Sequence, residues 1–228
     1  MSQPPEFKIG IALNGPYLVS GGVPLAKQHV VTNEGGESIE WREGQSYPAK
    51  AVYALCRCGQ SSRKPFCDGT HTKIGFDGTE TASRVPFLEQ AEKMDGPKMG
   101  LLDAESLCAF ARFCDVKGKI WNLVGQTNSA EAQALVAQQA GHCPSGRLVA
   151  LDAHGKALEP KLQPSIGIIE DTAMGIAGPL WVRGGIPITS SDGQQLEVRN
   201  RVTLCRCGAS SNKPYCDGTH ASIKFKDE

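Results

Sequence analysis

Residues 56–71 read Cys56-Arg57-Cys58-Gly59-Gln60-Ser61-Ser62-Arg63-Lys64-Pro65-Phe66-Cys67-Asp68-Gly69-Thr70-His71. The run returns later as Cys205-Arg206-Cys207-Gly208-Ala209-Ser210-Ser211-Asn212-Lys213-Pro214-Tyr215-Cys216-Asp217-Gly218-Thr219-His220. Both runs space their cysteines and histidine as Cys-x-Cys-x8-Cys-x3-His. Such self-similarity indicates that the chain holds two copies of one small structural unit.

The similarity between the copies extends upstream of the cysteines. Residues 15–25 and 178–188 each read as a short strand, a Gly-Gly turn and a second strand, and strand-like runs at 51–55 and 202–204 precede the cysteine pairs. The offset between copies is 163 residues at the Gly-Pro pair and 149 at the first cysteine, so the first copy is 14 residues longer. We assign the extra residues to the Gly- and Glu-rich stretch 33–45 and predict a hairpin or loop there.

The sequence predicts an α+β fold in three parts. Residues 1–87 and 165–228 are each expected to form a small β-rich unit around one Cys/His loop. Residues 88–164 are expected to form an inserted helical, α+β domain of unknown role. Because so small a β-unit cannot bury both faces alone, we expect the two units to pack on each other about a pseudo-twofold axis as one β-cap.

Helical patterns appear only in the insert. A helix is predicted from Asp103, as its N-cap, to about Val116, because the apolar residues recur with the spacing of one buried face. A second helix is predicted from Ser129 to Ala140, with Gly141 as the left-handed residue that ends it. Strands are predicted in and beside the insert at residues 119–124, 147–151 and 165–169.

Composition and charge exclude several classes of protein. The 228 residues include 24 Lys and Arg and 24 Asp and Glu, which excludes a broad electrostatic attraction to nucleic acid or to an anionic membrane. No apolar run approaches the roughly 20 residues of a membrane-spanning helix, and residues 1–8 lack the features of a secretion signal. We therefore expect a cytoplasmic protein with no nucleic acid and no membrane as partner. No dinucleotide fingerprint, P-loop or nucleophile elbow is present, so we predict no catalytic residues and a carrier instead of an enzyme, with oxidoreductase activity left open.

Three thiolates and one imidazole in each loop indicate a metal site. This ligand set is unsuited to hard cations and leaves a structural zinc ion or an iron-sulfur cluster. The Cys-x-Cys spacing is shorter than the Cys-x2-4-Cys of common zinc sites, which favours the cluster. We expect Asp68 and Asp217 to cap a short helical turn that brings the third cysteine and the histidine of each loop onto one face.

Both loops match the pattern C-x-C-x2-[ST]-x3-P-x-C-D-G-[STA]-H at every defined position. In this the chain resembles the CDGSH iron-sulfur domain family, which includes mitoNEET. The resemblance implies one [2Fe-2S] cluster per loop, with two cysteines on one iron and a cysteine and a histidine on the other. The implied ligands are Cys56, Cys58, Cys67 and His71 for the first cluster and Cys205, Cys207, Cys216 and His220 for the second. Family members similar to mitoNEET are homodimers with one motif per chain. This chain instead carries two motifs and a long insert, so it resembles a two-motif, single-chain bacterial type.

We therefore predict a [2Fe-2S] protein that acts in electron transfer, in iron-sulfur cluster transfer, or in both. Its clusters should be sensitive to pH, because a histidine ligand takes up a proton in mild acid. The expected partner is a redox protein or an apo iron-sulfur acceptor, and the expected state is a monomer with internal pseudo-twofold symmetry. Two alternatives stay open: a redox module of an oxidoreductase whose insert binds the substrate or partner, and a zinc-stabilised interaction scaffold. The pattern does not separate an electron carrier from a cluster donor.

The three other cysteines lie in the insert. Cys108, Cys114 and Cys143, with His142, could hold a third metal site, and Cys143-Pro144 is similar to the Cys-Pro that ends a bacterial ferredoxin motif. On the predicted helix, however, Cys108 and Cys114 are about 120° apart around the axis, so we expect buried cysteines instead of ligands. Two further sets of residues are expected to have no direct chemical role. The cations Arg57, Arg206, Lys64 and Lys213 are expected on a solvated face, and Trp121 and Trp181 in packing contacts.

Overall fold

The structure is a computed structural model that describes residues 6–48 and 50–227. Residues 1–5, which open the predicted first unit, lie outside the described residues, as do Ala49 and Glu228. The described strands are β1 (Lys8–Ile11), β2 (Tyr17–Ser20), β3 (Leu25–Thr32), β4 (Ser38–Tyr47), β5 (Val52–Leu55), β6 (Glu92–Asp95), β7 (Gly100–Asp103), β8 (Leu148–Leu151), β9 (Ser165–Asp171), β10 (Ile176–Arg183), β11 (Ile188–Thr189) and β12 (Arg201–Leu204). The α-helices are α1 (Thr70–Lys73), α2 (Phe87–Gln90), α3 (Ile120–Val124), α4 (Ala130–His142) and α5 (Thr219–Ser222).

Two sheets combine strands from both repeats. One has the order β11-β1-β2-β5 and the other the order β12-β10-β9-β3-β4. In each sheet the third strand of one repeat lies parallel to the first strand of the other, since β11 pairs with β1 and β3 pairs with β9. The paired residues include Ile9 with Ile188 and Leu25 with Ile166. Each repeat therefore completes its sheet with a strand from the other.

The two sheets share one apolar core. Alternate residues of the strands face inward, as in β2, where Tyr17 and Val19 are fully buried and Leu18 is exposed. Ile168, Leu180 and Leu204 of the other sheet are buried in the same cluster. Each fully buried aliphatic side chain contributes about 1.5–3 kcal/mol to the free energy of folding. The mixed α+β class is as predicted, with mostly strands and few helices.

The extra residues of the first repeat form a hairpin, as predicted. Strand β4 pairs antiparallel with β3, from Leu25 opposite Tyr47 to Thr32 opposite Ser38. It adds an outer strand to the sheet that has β12 at its other edge. The predicted strands at 51–55, 147–151, 165–169 and 202–204 are also confirmed as β5, β8, β9 and β12.

Three predictions for the insert are wrong. Residues 103–116 form no α-helix but a strand end and two 3-10 turns, Glu105–Leu107 and Phe113–Gly118, because the backbone takes positive φ at Phe110 and Arg112. Residues 119–124 form α3 instead of a strand, with Ile120, Leu123 and Val124 on one buried face, which is the spacing of a helix. Gly141 does not end the second helix, since α4 continues to His142.

The start of α4 is as predicted. Ser129 is the N-cap, and its hydroxyl accepts a hydrogen bond of 3.0 Å from the backbone N–H of Ala132. Helices α3 and α4 pack on the antiparallel sheet β6-β7-β8, with Leu101, Val136 and Leu148 in the core between them. Within residues 6–48 and 50–227, no helix combines the length and the apolar character needed to cross a membrane.

Candidate metal centres

The predicted ligands of the first loop, residues 56–71, lie in two pairs. Cys56 Sγ is 3.7 Å from Cys58 Sγ, and Cys67 Sγ is 3.3 Å from His71 Nδ1. Two thiolates on one tetrahedral metal ion stand about 3.8 Å apart when each metal–sulfur bond is about 2.3 Å, and a thiolate and an imidazole nitrogen stand slightly closer. Each pair is therefore spaced to share one metal ion.

The second loop, residues 205–220, repeats this geometry. Cys205 Sγ is 3.7 Å from Cys207 Sγ, and Cys216 Sγ is 3.3 Å from His220 Nδ1. In the part of the chain that the structure describes, no group of three or more Cys, His, Asp and Glu side chains is arranged to hold one metal ion. The pairs fit a cluster with two metal ions, each ion bound by one pair.

A short helical turn forms each Cys/His pair. In the first loop Asp68 accepts hydrogen bonds from the backbone N–H of Ser62 and of Thr70, at 2.8 and 3.0 Å. Side-chain and backbone hydrogen bonds from Thr70, and then from Ser62, hold the pKa of the Asp68 carboxyl well below its usual value. Gly69, with φ of +88°, starts α1 and places His71 one turn after Cys67. Asp217 has the same role in the second loop, where it accepts from Ser211 and Thr219.

Backbone N–H groups stabilise negative charge on the sulfurs. The N–H of Gly69 donates to Cys67 Sγ and that of Gly218 to Cys216 Sγ, both at 3.4 Å. In the buried pair of the second loop, the hydrogen bond between Cys207 and Cys205 lowers the pKa of Cys205 to about 6, and nearby backbone N–H groups contribute. Thiolate is the form that binds iron, and it is favoured at Cys205, whereas burial raises the pKa of Cys216 in the same loop.

The two loops differ in exposure although their sequences are almost the same. Cys67 and His71 are partly exposed, whereas Cys216 is 3% and His220 is 4% exposed. Burial, followed by the charge of Arg206, lowers the pKa of His220 to about 4. The histidine edge of the first loop therefore faces solvent, and that of the second loop is enclosed.

Residues from outside the second repeat enclose the second loop. The hydroxyl of Tyr17, a residue of β2, donates to Cys205 O at 2.7 Å. The backbone N–H groups of Thr81 and Ala82 donate to Lys213 O at 2.7 and 2.9 Å. On the insert side, a methyl group at Gly218 would lie 3.4 Å from the carbonyl oxygen of Cys108.

The arginines between the paired cysteines are buried, so the predicted solvated face is wrong for them. Arg57 is 1% and Arg206 is 3% exposed. Arg57 donates to Gly15 O at 2.8 Å and lies over the ring of Phe76. The spacing of the cysteines could not predict this burial, because the carbonyl groups that accept hydrogen bonds from the arginines lie far away in the sequence. The lysines are half-buried, and Lys213 donates to Ser210 O.

The two buried arginines also differ in their charged neighbours. Arg206 forms ion pairs with Glu170 at 3.1 Å and Asp227 at 2.6 Å. Arg57 forms no ion pair within the described residues; the carboxylate of Asp77, which is exposed, lies only within electrostatic reach of it. The positive charge of Arg57 in the first loop is therefore not neutralised by an ion pair in the described part of the chain, whereas Glu170 and Asp227 neutralise that of Arg206 in the second loop.

The insert places its three cysteines around one crevice, which we call the insert crevice. It is lined by Cys108, Ala109, Phe110, Ala111, Arg112, Phe113, Cys114, Cys143, Pro144, Arg147 and Leu148. Burial, followed by the charges of Asp115, Cys143 and Cys108, raises the pKa of Cys114 to about 12. The expectation that helix geometry separates Cys108 from Cys114 is therefore wrong, because a loop and not a helix joins them.

The two arginines that line the insert crevice are paired with carboxylates, Arg112 with Asp171 and Arg147 with Asp103. The loop from Cys108 to Cys114 has positive φ at Phe110 (+54°) and Arg112 (+62°). Arg147 donates to both oxygens of Asp103, at 2.6 and 2.8 Å, and its guanidinium also reaches Cys108. His142 does not join this group; its ring packs edge-on against Phe113, 5.1 Å between centroids.

The predicted packing roles of two tryptophans agree with the structure. Trp181 is 4% exposed and its ring lies 4.9 Å from that of Trp41. Trp121 donates from Nε1 to Asp103 at 2.9 Å and lies under the guanidinium of Arg147.

Comparison with known protein families identifies the class of these centres. The family described as iron-binding zinc finger, CDGSH type, matches residues 14–72 and 177–221. The family described as divergent 4Fe-4S mono-cluster matches residues 94–153, which include all three cysteines of the insert. No curated protein matches the chain.

These matches define an iron-sulfur protein. The chain carries two regions of the CDGSH type, as the sequence pattern predicted. The match to the insert was not predicted. Its signal was present in the sequence, in the Cys108, Cys114 and Cys143-Pro144 spacing, but a wrong helix assignment argued against it.

Proposed function

We propose that the chain is an electron-transfer protein with one [2Fe-2S] cluster in each CDGSH loop. The observation that carries this proposal is the repeated pairing of ligands, with Sγ–Sγ distances of 3.7 Å and Sγ–Nδ1 distances of 3.3 Å in both loops. Two such pairs match the two irons of the cluster, one held by two thiolates and the other by a thiolate and an imidazole. When bound, the cluster supplies one-electron redox chemistry.

The proposed ligands are those predicted from the sequence. They are Cys56, Cys58, Cys67 and His71 in the first loop and Cys205, Cys207, Cys216 and His220 in the second. In both loops Nδ1 faces the third cysteine, so Nε2 is the nitrogen left to exchange a proton. The partial exposure of His71 places that proton exchange within reach of solvent in the first loop.

We infer a third iron-sulfur cluster in the insert, held by Cys108, Cys114 and Cys143. The match of residues 94–153 to a cluster-binding family supports it, as does the convergence of the three cysteines on one crevice. Within the described lining of this crevice no carboxylate or imidazole supplies a fourth ligand. The insert is then a redox centre in its own right, whereas the oxidoreductase alternative had the insert bind the substrate or partner.

The exchanged strands support a single chain that forms its own pseudo-dimer. The pairing of β11 with β1 and of β3 with β9 supplies within one chain a twofold arrangement that would otherwise need two copies. We therefore propose a monomer, with units at 1–87 and 165–228 and an insert at 88–164, that works in the cytoplasm with a redox protein as partner.

Metal and sulfide analysis of the purified protein tests the proposal. We expect about four iron and about four labile sulfide per chain from the two loops, and about three to four more of each from the insert. The protein should be red-brown, with the visible absorption of iron-sulfur clusters. Zinc at about two per chain with no labile sulfide would establish the zinc scaffold instead.

Cluster transfer is the second candidate function, and the exposed edge of Cys67 and His71 favours it. Incubation of the reduced protein with an apo-ferredoxin separates the two candidates. An electron carrier reduces a holo-ferredoxin but leaves the apo form empty. Appearance of the ferredoxin spectrum in the apo form, with loss of iron from this chain, would favour the cluster donor.

A further inference from the structure

The insert crevice and the second CDGSH loop are in direct contact. A methyl group at Gly218 would lie 3.4 Å from Cys108 O and 3.5 Å from Phe110 Cβ, which is van der Waals contact. The side chain of Asn212 donates to Ser106 O at 2.9 Å and fixes the two segments together. Cys108 is thus a ligand candidate of the insert and a neighbour of the second loop.

The first loop has no such neighbour at the corresponding position. A methyl group at Gly69 would meet no described atom within 4 Å. The first loop instead touches the second, where Cys58 and Cys207 form an antiparallel β-bridge. The three centres therefore lie in the order insert, second loop, first loop.

We propose that the Cys108–Phe110 segment and the Cys216–Gly218 turn form the path by which single electrons pass between the insert and the second CDGSH loop. The first loop then exchanges electrons with the insert only by way of the second, across the bridge of Cys58 and Cys207. The inference rests on the proposed function, because it needs iron at all three centres.

Each transfer along this path moves one electron and no atoms. With clusters bound, Cys108, Cys114 and Cys143 would hold the group that gives up one electron, and Cys205, Cys207, Cys216 and His220 would hold the group that accepts it. A one-electron donor protein of the ferredoxin class supplies the electron at the insert, and an electron acceptor protein removes it at the first loop.

The charges around the loops favour this direction. Reduction adds negative charge, which the un-neutralised guanidinium of Arg57 and the solvent at the first loop both stabilise. At the second loop Glu170 and Asp227 neutralise Arg206, and the ligands are buried. The first loop therefore has the higher reduction potential and receives the electron. Its partly exposed Cys67 and His71 form the exit to a partner.

Electron paramagnetic resonance of single-loop variants tests the path. Cys67→Ala empties the first loop and leaves the second, and Cys216→Ala does the reverse. Adding Cys114→Ala to either variant removes the insert centre. A nearby paramagnetic centre speeds the relaxation of a cluster and raises its half-saturation power. In the dithionite-reduced Cys67→Ala protein, we therefore expect Cys114→Ala to lower the half-saturation power of the second-loop signal several-fold. In Cys216→Ala, the same substitution should change the half-saturation power of the first-loop signal less than twofold.

Two results would overturn the proposal: equal changes in the two backgrounds, or no change in the second loop. Iron and sulfide are measured first, and absence of insert iron in the parent protein would overturn both this path and the third centre. Full iron without magnetic coupling overturns the path alone.

A second measurement covers the case in which Cys114→Ala fails to fold. Pulsed dipolar spectroscopy on Cys67→Ala and Cys216→Ala, with the insert intact, should give a shorter distance from the insert to the second loop than to the first. A distance to the first loop that is equal or shorter would contradict the order of the centres.

Discussion

Cys58 and Cys207 pair as an antiparallel β-bridge, so the two CDGSH loops meet back to back. The glycine after each cysteine lies against the partner cysteine's backbone. Gly59 has φ of +75° and contacts Cys207, and Gly208 has φ of +81° and contacts Cys58. This bridge explains why each cysteine pair is followed by glycine, since any side chain there would separate the loops.

Gly59→Ala should destabilise the protein and reduce its cluster content. The positive φ alone costs about 1–2 kcal/mol for a residue with a side chain, and the new methyl group would also overlap the backbone of Cys207. Thermal unfolding and labile sulfide per chain measure the effect, which Gly208→Ala should reproduce. Gly69→Ala is the matched control, because Gly69 has φ of +88° but open space around it. If Gly59→Ala lost no more stability than this control, the bridge would not hold the loops together.

Much of the site could be predicted from the sequence, because the relevant signals are local. The spacing of cysteines, Asp68 and His71 specifies a turn that closes within one loop, and the 14-residue offset located the β3–β4 hairpin. The difference between the two loops could not be predicted in this way. His71 and His220 have the same local sequence, yet His71 is partly exposed and His220 is buried, in the loop whose Gly218 lies against the insert.

The errors in the insert also have a physical cause. Residues 103–116 have apolar residues at helical spacing, yet the left-handed backbone at Phe110 and Arg112 breaks the helix and turns the loop toward Cys143. Helix propensity is too weak to oppose such tertiary contacts. Likewise the burial of Arg57 depends on the carbonyls of Ala12 and Gly15, which are more than 40 residues away in sequence.

The second cluster should survive mild acid longer than the first. A proton must bind the ligand nitrogen to displace iron, and burial together with Arg206 lowers the pKa of His220 to about 4. A lower pKa means that protonation occurs only at lower pH, whereas the edge at His71 is open to acid. Bleaching of visible absorption at about pH 5 to 6, where free imidazole takes up its proton, should be fast in Cys216→Ala and slow in Cys67→Ala. Equal rates in the two variants would show that burial does not protect the ligand.

Neutralising Asp227 should raise the reduction potential of the second cluster. Asp227 lies 2.6 Å from the buried guanidinium of Arg206, whose charge reaches His220. In Asp227→Asn the positive charge of Arg206 is less compensated, so the potential should rise by tens of millivolts, on the order expected for one unit charge at this depth. Redox titration of Asp227→Asn in the Cys67→Ala background measures this shift.

Asp77→Asn in the Cys216→Ala background is the control. It should shift the potential of the first cluster less, because Asp77 is exposed and solvent screens its charge. A second-cluster potential that falls or stays unchanged would contradict this account.

Arg201 should hold the insert against the second repeat. It is 1% exposed, and its guanidinium donates to Ala140 O, Gly141 O and Leu148 O at 2.9, 2.6 and 3.1 Å. Arg201→Ala removes the donor to Gly141 O and Leu148 O, whereas Ala140 O keeps the N–H of Cys143; each unsatisfied group costs about 1–3 kcal/mol, and the insert is loosened. We therefore expect a lower unfolding temperature, together with faster acid bleaching of the second cluster and unchanged bleaching of the first.

Arg199→Ala is a matched control at the same boundary, because Arg199 contacts the carbonyls of Ser145 and Gly146. It should lower stability less, since it removes fewer short hydrogen bonds. If Arg201→Ala destabilised the protein but left the second cluster as resistant to acid as in the parent, the insert would not be the element that shields His220.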